Sequence, residues 1–136
     1  NVRLRVIGGR EELSTDLVEI IKEVEEESSL NTGNNLNIAI NYGGRQEIVS
    51  AINSLLSEGK QITVDSISSA LYTAPCGEPD LIIRTGGEYR LSNFLLYQGA
   101  YSELYFTEVL WPDFDENEFD KAIENFSARK RRFGKV

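Results

Sequence analysis

The sequence contains no histidine, and this absence excludes several kinds of chemistry. Histidine triads, histidine general bases and most zinc sites all need an imidazole ring. Cys76 is the only cysteine, so no intrachain disulfide can form and a reducing compartment is the expected environment. No apolar run approaches the ~20 residues of a membrane-spanning helix. The sequence therefore favours a cytoplasmic location.

Methionine is also absent, and the chain opens at residues 1–4 inside a stretch that is typical of a strand. A complete translation product starts with methionine, and natural domains rarely begin in the middle of a strand. We therefore expect the 136 residues to be part of one larger domain.

Positive charge is scarce: 14 Lys and Arg face 22 Asp and Glu, and the net charge is −8. This balance disfavours nonspecific binding of nucleic acid. The end of the chain is the exception, because it carries a basic run of the kind that usually marks a solvated helix end: Arg129, Lys130, Arg131, Arg132 and Lys135. An apolar fraction of 40% is sufficient for a packed core.

Hydrophobic periodicity predicts strands that alternate with helices. Short apolar strands are predicted over residues 4–7, 36–40, 80–84 and 103–106. A first helix is predicted with Ser14 or Thr15 as its cap and with an apolar face of Leu13, Leu17, Ile20, Ile21 and Val24. Unbroken apolar strands in this alternation indicate an α/β fold with a mostly parallel sheet flanked by helices.

Three further helices are predicted. One follows Gly43-Gly44, ends with Gly59 in the C′ position, and places on one face Ile48, Val49, Ile52, Leu55 and Leu56. A short helix over residues 66–72 has Asp65 as its expected cap. The last begins at a pair resembling a capping box, Asp115 and Glu118, and its predicted buried face is Phe119, Ala122, Ile123 and Phe126.

The most informative stretch follows the third predicted strand. Arg84-Thr85-Gly86-Gly87-Glu88 comes directly after it, and Arg90 and Ser92 come next. Ligands in open α/β sheets bind beyond the carboxyl ends of strands, and a glycine pair there permits close approach of the backbone. Arginine forks and a hydroxyl suit phosphate oxygens. These residues predict an anion site, most readily for a phosphate or diphosphate; a plain turn with solvated arginines is the alternative.

Several blocks of the sequence, in collinear order, resemble the cis-prenyltransferase family, and more narrowly its bacterial undecaprenyl diphosphate synthase type. The longest is DLIIRTGGEYRLSNFLLYQGAYSELYF at residues 80–106. The others are VRLRVIG at 2–8, LNIAINYGGR at 36–45, VLWPDFD at 109–115 and RRFG at 131–134. The resemblance implies that the chain is the C-terminal part of a single cis-prenyltransferase domain, residues 1–136.

The resemblance also implies a reaction and its partners. Isopentenyl diphosphate would condense with an allylic diphosphate, such as farnesyl diphosphate, to give a cis-polyprenyl diphosphate such as undecaprenyl diphosphate, the lipid carrier precursor for cell-wall synthesis. The implied cofactor is Mg²⁺ and the implied assembly is a homodimer. The product implies peripheral contact with the inner face of the membrane.

Site residues follow from the resemblance position by position. Arg84, Arg90 and Ser92 match residues that hold isopentenyl diphosphate, and Glu103 matches a magnesium-linked glutamate. The signature Arg132-x-Gly134 implies contact across the dimer with the diphosphate of the neighbouring subunit. The family's catalytic aspartate and glycine-rich phosphate loop belong to its N-terminal half and have no counterpart in these residues. We therefore expect the 136 residues alone to be inactive.

Alternatives remain at two levels. The whole chain is alternatively a non-catalytic binding subunit of a two-component cis-prenyltransferase, or an unrelated phosphate-binding module. Non-catalytic subunits, however, lose the arginine loop, which is residues 84–92 here. Among single residues, Tyr42 and Arg45 either support the site or belong to a turn that starts a helix, and Glu88 either orients the arginines or is solvated.

Two motifs are interpreted as coincidental. Residues 113–124 imitate a calcium-binding EF-hand loop, but Glu118 stands where the turn needs glycine. The glycosylation sequon at residues 125–127 falls within a predicted helix.

Overall fold

The computed structural model describes residues 1–130, and the chain divides into two compact units, Asn1–Gly77 and Glu78–Val136. Each unit contains one pair of parallel strands with helices beside it. The predicted α/β class with parallel strands is therefore confirmed. Within the described residues the strands form two separate pairs. No helix in residues 1–130 has the length and apolar character needed to cross a membrane.

The first unit begins as a β–α–β element. Its strands are β1 (Arg3–Ile7) and β2 (Asn35–Ala39), which pair in parallel from Arg3↔Asn35 to Ile7↔Ala39. Helix α1 (Thr15–Ser28) connects them and packs on β1, as a parallel pair requires. The predicted cap is confirmed, because Ser14 Oγ accepts the N–H of Leu17 at 3.4 Å.

Helix α2 (Gly44–Ser57) ends as the sequence predicts. Gly59 has φ +66° and its N–H donates to Leu56 O at 3.1 Å, which completes a left-handed C-terminal turn. The predicted apolar face is only partly realised, because Leu55 is buried but Val49 and Leu56 are 57% and 60% exposed. The buried stripe of α2 contains Leu55 together with Gly44, Glu47 and Ala51. Residues 47, 51 and 55 lie on one face of the helix because of their i, i+4 spacing. Since residue 47 is charged, the hydrophobicity pattern does not reveal this face.

Helix α3 (Val64–Ala70) starts two residues before the predicted start, and Asp65 is not its cap. Thr63 Oγ1 accepts the N–H of Ser66 at 3.0 Å, and Ser66 Oγ accepts the N–H of Thr63 at 2.8 Å. This reciprocal pair satisfies two backbone donors, whereas a carboxylate at residue 65 lies inside the first turn. A short 3₁₀ turn, Ala74–Cys76, ends the unit.

The second unit carries β3 (Leu81–Arg84) and β4 (Glu103–Phe106), paired in parallel from Leu81↔Glu103 to Arg84↔Phe106. A 3₁₀ turn at Trp111–Asp113 leads to α4 (Glu116–Ser127), which packs against β4. Asp115 caps α4 as predicted, since its Oδ1 accepts the N–H of Glu118 at 3.0 Å.

The predicted buried face of α4 is only partly realised. Ala122 is fully buried, but Phe119 and Ile123 are 47% and 38% exposed. The only strand of the described residues with substantial contact to α4 is β4, a surface too narrow to cover the whole apolar stripe.

Candidate functional site

Arg84 ends β3, and its side chain lies with the two other residues of the predicted anion site. Its Nη1 donates to Ser92 Oγ at 3.0 Å and to the carbonyl oxygen of Arg90. Nε and Nη2 of Arg84 have no acceptor among residues 1–130. The outer edge of this guanidinium therefore presents the two-pronged donor that binds phosphate oxygens. A pocket of about 300 Å³ opens here, lined by Arg84, Arg90 and Ser92 with Ile82, Ile83, Leu91 and Phe94.

The glycine pair has a structural role in addition to the close approach to a ligand that the sequence predicts. Gly86 and Gly87 have φ +86° and +74°, a conformation that costs an ordinary residue about 1–2 kcal/mol. Their N–H groups donate to Val109 O at 2.8 Å and Thr107 O at 2.9 Å. A Cβ on Gly86 would meet nothing within 4 Å, so its side of the loop is not crowded. The glycines thus fasten the arginine loop to the segment after β4.

The segment after the loop holds three ordinary residues in the left-handed region: Ser92, Asn93 and Leu95, with φ of +47°, +66° and +45°. Such strain persists only where neighbouring contacts fix the backbone, and it is common at ligand sites. Here the conformation accompanies the contact between the Ser92 hydroxyl and Arg84.

Arg90 is paired with the carboxylate of Glu88, and both side chains are exposed. An exposed ion pair contributes little stability, so an incoming anion can replace Glu88 at small cost. Glu88 thus contacts one of the two arginines. With two guanidinium groups and one carboxylate, this end of the pocket carries excess positive charge.

Glu103 does not lie beside the arginines, contrary to the expectation of a carboxylate near them. It pairs with Leu81 at the start of the strands, whereas Arg84 pairs with Phe106 at their end. Three residues of strand span about 10 Å, and side chains alternate between the two faces. Glu103 and Arg84 therefore occupy opposite ends and opposite faces of the strand pair. The sequence alone does not reveal this separation of Glu103 from Arg84, because the separation depends on the strand register.

The carboxylate of Glu103 has one oxygen engaged. Its Oε2 accepts Nη1 of Arg129 at 2.7 Å, and its Oε1 has no partner among residues 1–130. No group of three or more His, Cys, Asp or Glu side chains in that range could hold a metal by itself. Mg²⁺ is commonly bound by one or two carboxylates together with substrate phosphates and water. One partly buried carboxylate with an open oxygen fits that donor set.

Tyr42 is part of a buried polar contact in the first unit. Its hydroxyl donates to Glu47 Oε2 at 2.5 Å, and the N–H of Tyr72 donates to Glu47 Oε1 at 2.8 Å. Glu47 is 1% exposed and was missed by the sequence interpretation. Its spacing from Ala51 and Leu55 is the signal that could have revealed it. The contact joins α2 to the end of α3, which is a structural role for Tyr42.

The two coincidental motifs have structural roles. Asp115 of the calcium-like loop caps α4, and Asn125 of the sequon accepts hydrogen bonds from Arg129. Arg132 and Gly134, the predicted cross-dimer contacts, lie outside the described residues.

Comparison with known proteins supports the resemblance over almost the whole chain. The family model Prenyltransf, described as "Putative undecaprenyl diphosphate synthase", matches residues 1–134. The isoprenyl transferase of Neisseria gonorrhoeae is 50% identical over 137 residues, covering all of this chain and 55% of that protein. The ditrans,polycis-undecaprenyl-diphosphate synthase ((2E,6E)-farnesyl-diphosphate specific) of Buchnera aphidicola is 52% identical over 143 residues, covering all of this chain and 57% of that protein.

A solved structure agrees at the level of the fold. The crystal structure of a probable undecaprenyl diphosphate synthase from Campylobacter jejuni superposes with a TM-score of 0.92 and 37% identity, covering 98% of this chain and 64% of that one. The chain therefore belongs to the cis-prenyltransferase family. It spans a little over half the length of the two relatives named above.

Proposed function

We propose that this chain carries the isopentenyl diphosphate site of a prenyl-transferring enzyme. The enzyme condenses isopentenyl diphosphate with an allylic diphosphate, farnesyl diphosphate being the expected primer, and releases diphosphate. The carrying observation is the contact of Arg84 with Ser92 and with the backbone of Arg90 at the end of β3. The family resemblance implies that non-catalytic subunits lose this arginine loop, so its presence favours an enzyme. The similarity to enzymes named isoprenyl transferase supports the same reaction.

The site binds and orients the diphosphate of isopentenyl diphosphate. Nη1 of Arg84 is held by the loop, so the Nε and Nη2 edge is fixed in direction and donates to two phosphate oxygens. Arg90 exchanges its ion pair with Glu88 for one with a second phosphate group. The Ser92 hydroxyl donates a hydrogen bond to a third oxygen. Holding the substrate in one orientation lowers the entropic part of the barrier.

Magnesium is the proposed metal and Glu103 its ligand from this chain. When bound, the ion neutralises charge on the diphosphate groups. Because Glu103 faces away from Arg84 of its own chain, it would serve the diphosphate of a second copy. This geometry favours a homodimer in which each site needs both chains, in keeping with the implied cross-dimer role of Arg132 and Gly134.

The product proposed for the whole protein is a cis-polyprenyl diphosphate of the undecaprenyl type, used in cell-wall synthesis. The Buchnera relative is named for that product. A cytoplasmic enzyme would meet the inner face of the membrane through this lipid product.

Replacing Arg84 tests the proposal. In the full-length protein, Arg84→Ala should raise KM for isopentenyl diphosphate by about 30-fold or more, since a lost charge-assisted contact costs about 2–3 kcal/mol. KM for the allylic substrate should change little. The control is Lys22→Ala, which removes an exposed cation of α1 whose ion pair with Glu26 is long, at 3.9 Å. Unchanged steady-state constants for isopentenyl diphosphate in Arg84→Ala would refute the assignment.

A further inference from the structure

Arg129 lies just after α4, and its guanidinium is anchored independently of Glu103. Nε and Nη2 donate to Asn125 Oδ1 at 3.0 and 2.7 Å, and Nη2 also donates to Leu104 O at 3.0 Å. Only Nη1 contacts Glu103. Since α4 and β4 hold the guanidinium in place, its position does not depend on the carboxylate.

The carboxylate, by contrast, depends on Arg129. Both side chains of the pair are about two-thirds buried, which strengthens the contact relative to an exposed pair. With Oε2 engaged at 2.7 Å, Oε1 is the oxygen left for another cation. The contact with Arg129 therefore occupies Oε2 of Glu103 and leaves Oε1 available.

A carboxylate with only one available oxygen suits some divalent cations better than others. Ca²⁺ takes six to eight oxygens at about 2.3–2.6 Å and accepts carboxylates through both oxygens, whereas Mg²⁺ needs a near-ideal octahedron at about 2.0–2.1 Å. The two oxygens of one carboxylate are too close together for adjacent corners of that octahedron. A carboxylate limited to one oxygen therefore serves Mg²⁺ fully and Ca²⁺ incompletely.

We propose that Arg129 restricts Glu103 to ligation through Oε1 and thereby sets the preference of this site for Mg²⁺ over Ca²⁺. The inference rests on the proposed function, in which Glu103 is the metal ligand. Arg129 acts here as a positioning residue, since it touches the ligand and not the substrate. Asn125 supports it by fixing the guanidinium.

Metal binding to the full-length protein, saturated with isopentenyl diphosphate, tests this directly. Calorimetric titration with Mg²⁺ and separately with Ca²⁺, each corrected for metal binding by the free diphosphate, gives the ratio of the two dissociation constants. Outer contacts of metal ligands commonly change affinity by about 10–100-fold, so Arg129→Gln should shift this ratio toward Ca²⁺ by about tenfold. Asn125→Ala, which keeps the charge but loosens the guanidinium, should shift it in the same direction by less.

The control is Lys130→Gln, which removes a neighbouring charge whose side chain does not contact Glu103. An equal shift in Lys130→Gln would mean that net charge, not the contact, sets the preference. Unchanged ratios in both Arg129→Gln and Asn125→Ala would overturn the inference. Glu103→Gln separates the two levels: if it abolishes Mg²⁺ binding, the ligand assignment stands whatever Arg129 does. If Glu103→Gln binds Mg²⁺ normally, the ligand assignment fails and the inference fails with it.

Discussion

Glu47 is a charged side chain in the buried stripe of α2, a position that hydrophobicity assigns to an apolar residue. A buried carboxylate is costly unless its oxygens accept hydrogen bonds, and both oxygens of Glu47 do. One donor is the hydroxyl of Tyr42 and the other is the backbone N–H of Tyr72. The residue is therefore compatible with the interior because two other segments of the first unit supply its partners.

Replacing Glu47 by leucine should destabilise the protein even though leucine is apolar and suits a helix. The change removes the acceptor of the Tyr72 N–H, at about 1–3 kcal/mol, and one hydrogen bond of the Tyr42 hydroxyl. Glu47→Gln is the matched variant, and it should cost much less because the tyrosine hydroxyl can rotate and accept from the amide. Urea denaturation of both variants gives the free energies of unfolding. A leucine variant as stable as the wild type would show that the contact has no net value.

At the scale of the elements, the sequence predicted those helix ends that are fixed by residues close along the chain. Ser14, Gly59 and Asp115 each end or begin a helix as the sequence indicates, because a cap needs only a few neighbouring residues. Thr63 was missed although its signal is local, since the serine at its third position completes a capping box without the usual glutamate.

The buried faces of α2 and α4 could not be predicted in the same way. Which side of a helix is covered depends on the partner surface, and α2 has apolar residues on more than one side. The grouping of Arg84, Arg90 and Ser92 could be predicted from the sequence because these residues are close along the chain. The contact of Arg129 with Glu103 could not be predicted in this way, because the two residues are 26 positions apart in the sequence.

The cap of α4 should give a measurable pH dependence. The backbone N–H of Glu118 donates to the Asp115 carboxylate and lowers the pKa of that group below its ordinary value of 3.8. Because the folded-state pKa is the lower one, the unfolded chain binds more protons in this range. The stabilisation is therefore fully present above the unfolded-state pKa and is lost as the pH falls below 3.8 through the folded-state value.

Asp115→Asn keeps an acceptor oxygen for the cap and removes the titration. Its stability should consequently change less than that of the wild type as the pH is lowered through this window. Unfolding free energies of the two proteins, measured in parallel from neutral to acidic pH, give the comparison. Parallel curves would mean that the carboxylate contributes no acid sensitivity.

At the scale of the whole molecule, the register of β3 and β4 decides how sites are assembled. It puts Arg84 and Glu103 at opposite ends of one strand pair. Under the proposed function, the two residues that serve one diphosphate come from different chains. Mixing two defective proteins distinguishes this arrangement from one in which each chain is self-sufficient.

Arg84→Ala and Glu103→Gln, each poorly active alone, should complement each other after mixing and exchange of subunits. A mixed dimer then has one site with both defects and one site with neither. About half of randomly paired dimers are mixed and each has one intact site, so activity should reach about a quarter of the wild-type value. Mixing each variant with itself is the control. Absence of any recovery, with subunit exchange verified by mass spectrometry, would place both residues in the same chain's site.

Residues 1–136 expressed alone should fail to catalyse the condensation even where they fold. They carry the proposed isopentenyl diphosphate site, and the family resemblance puts the loop for the allylic diphosphate and the catalytic aspartate in the N-terminal half. Placing two reactants together can contribute about 7–11 kcal/mol to lowering the barrier, and a chain with one of the two sites loses that contribution. An unpaired strand edge should also promote association. A radiolabelled condensation assay on the purified segment, beside the full-length protein, measures the loss. Sustained turnover comparable to that of the full-length protein would mean that both diphosphates are held within these 136 residues.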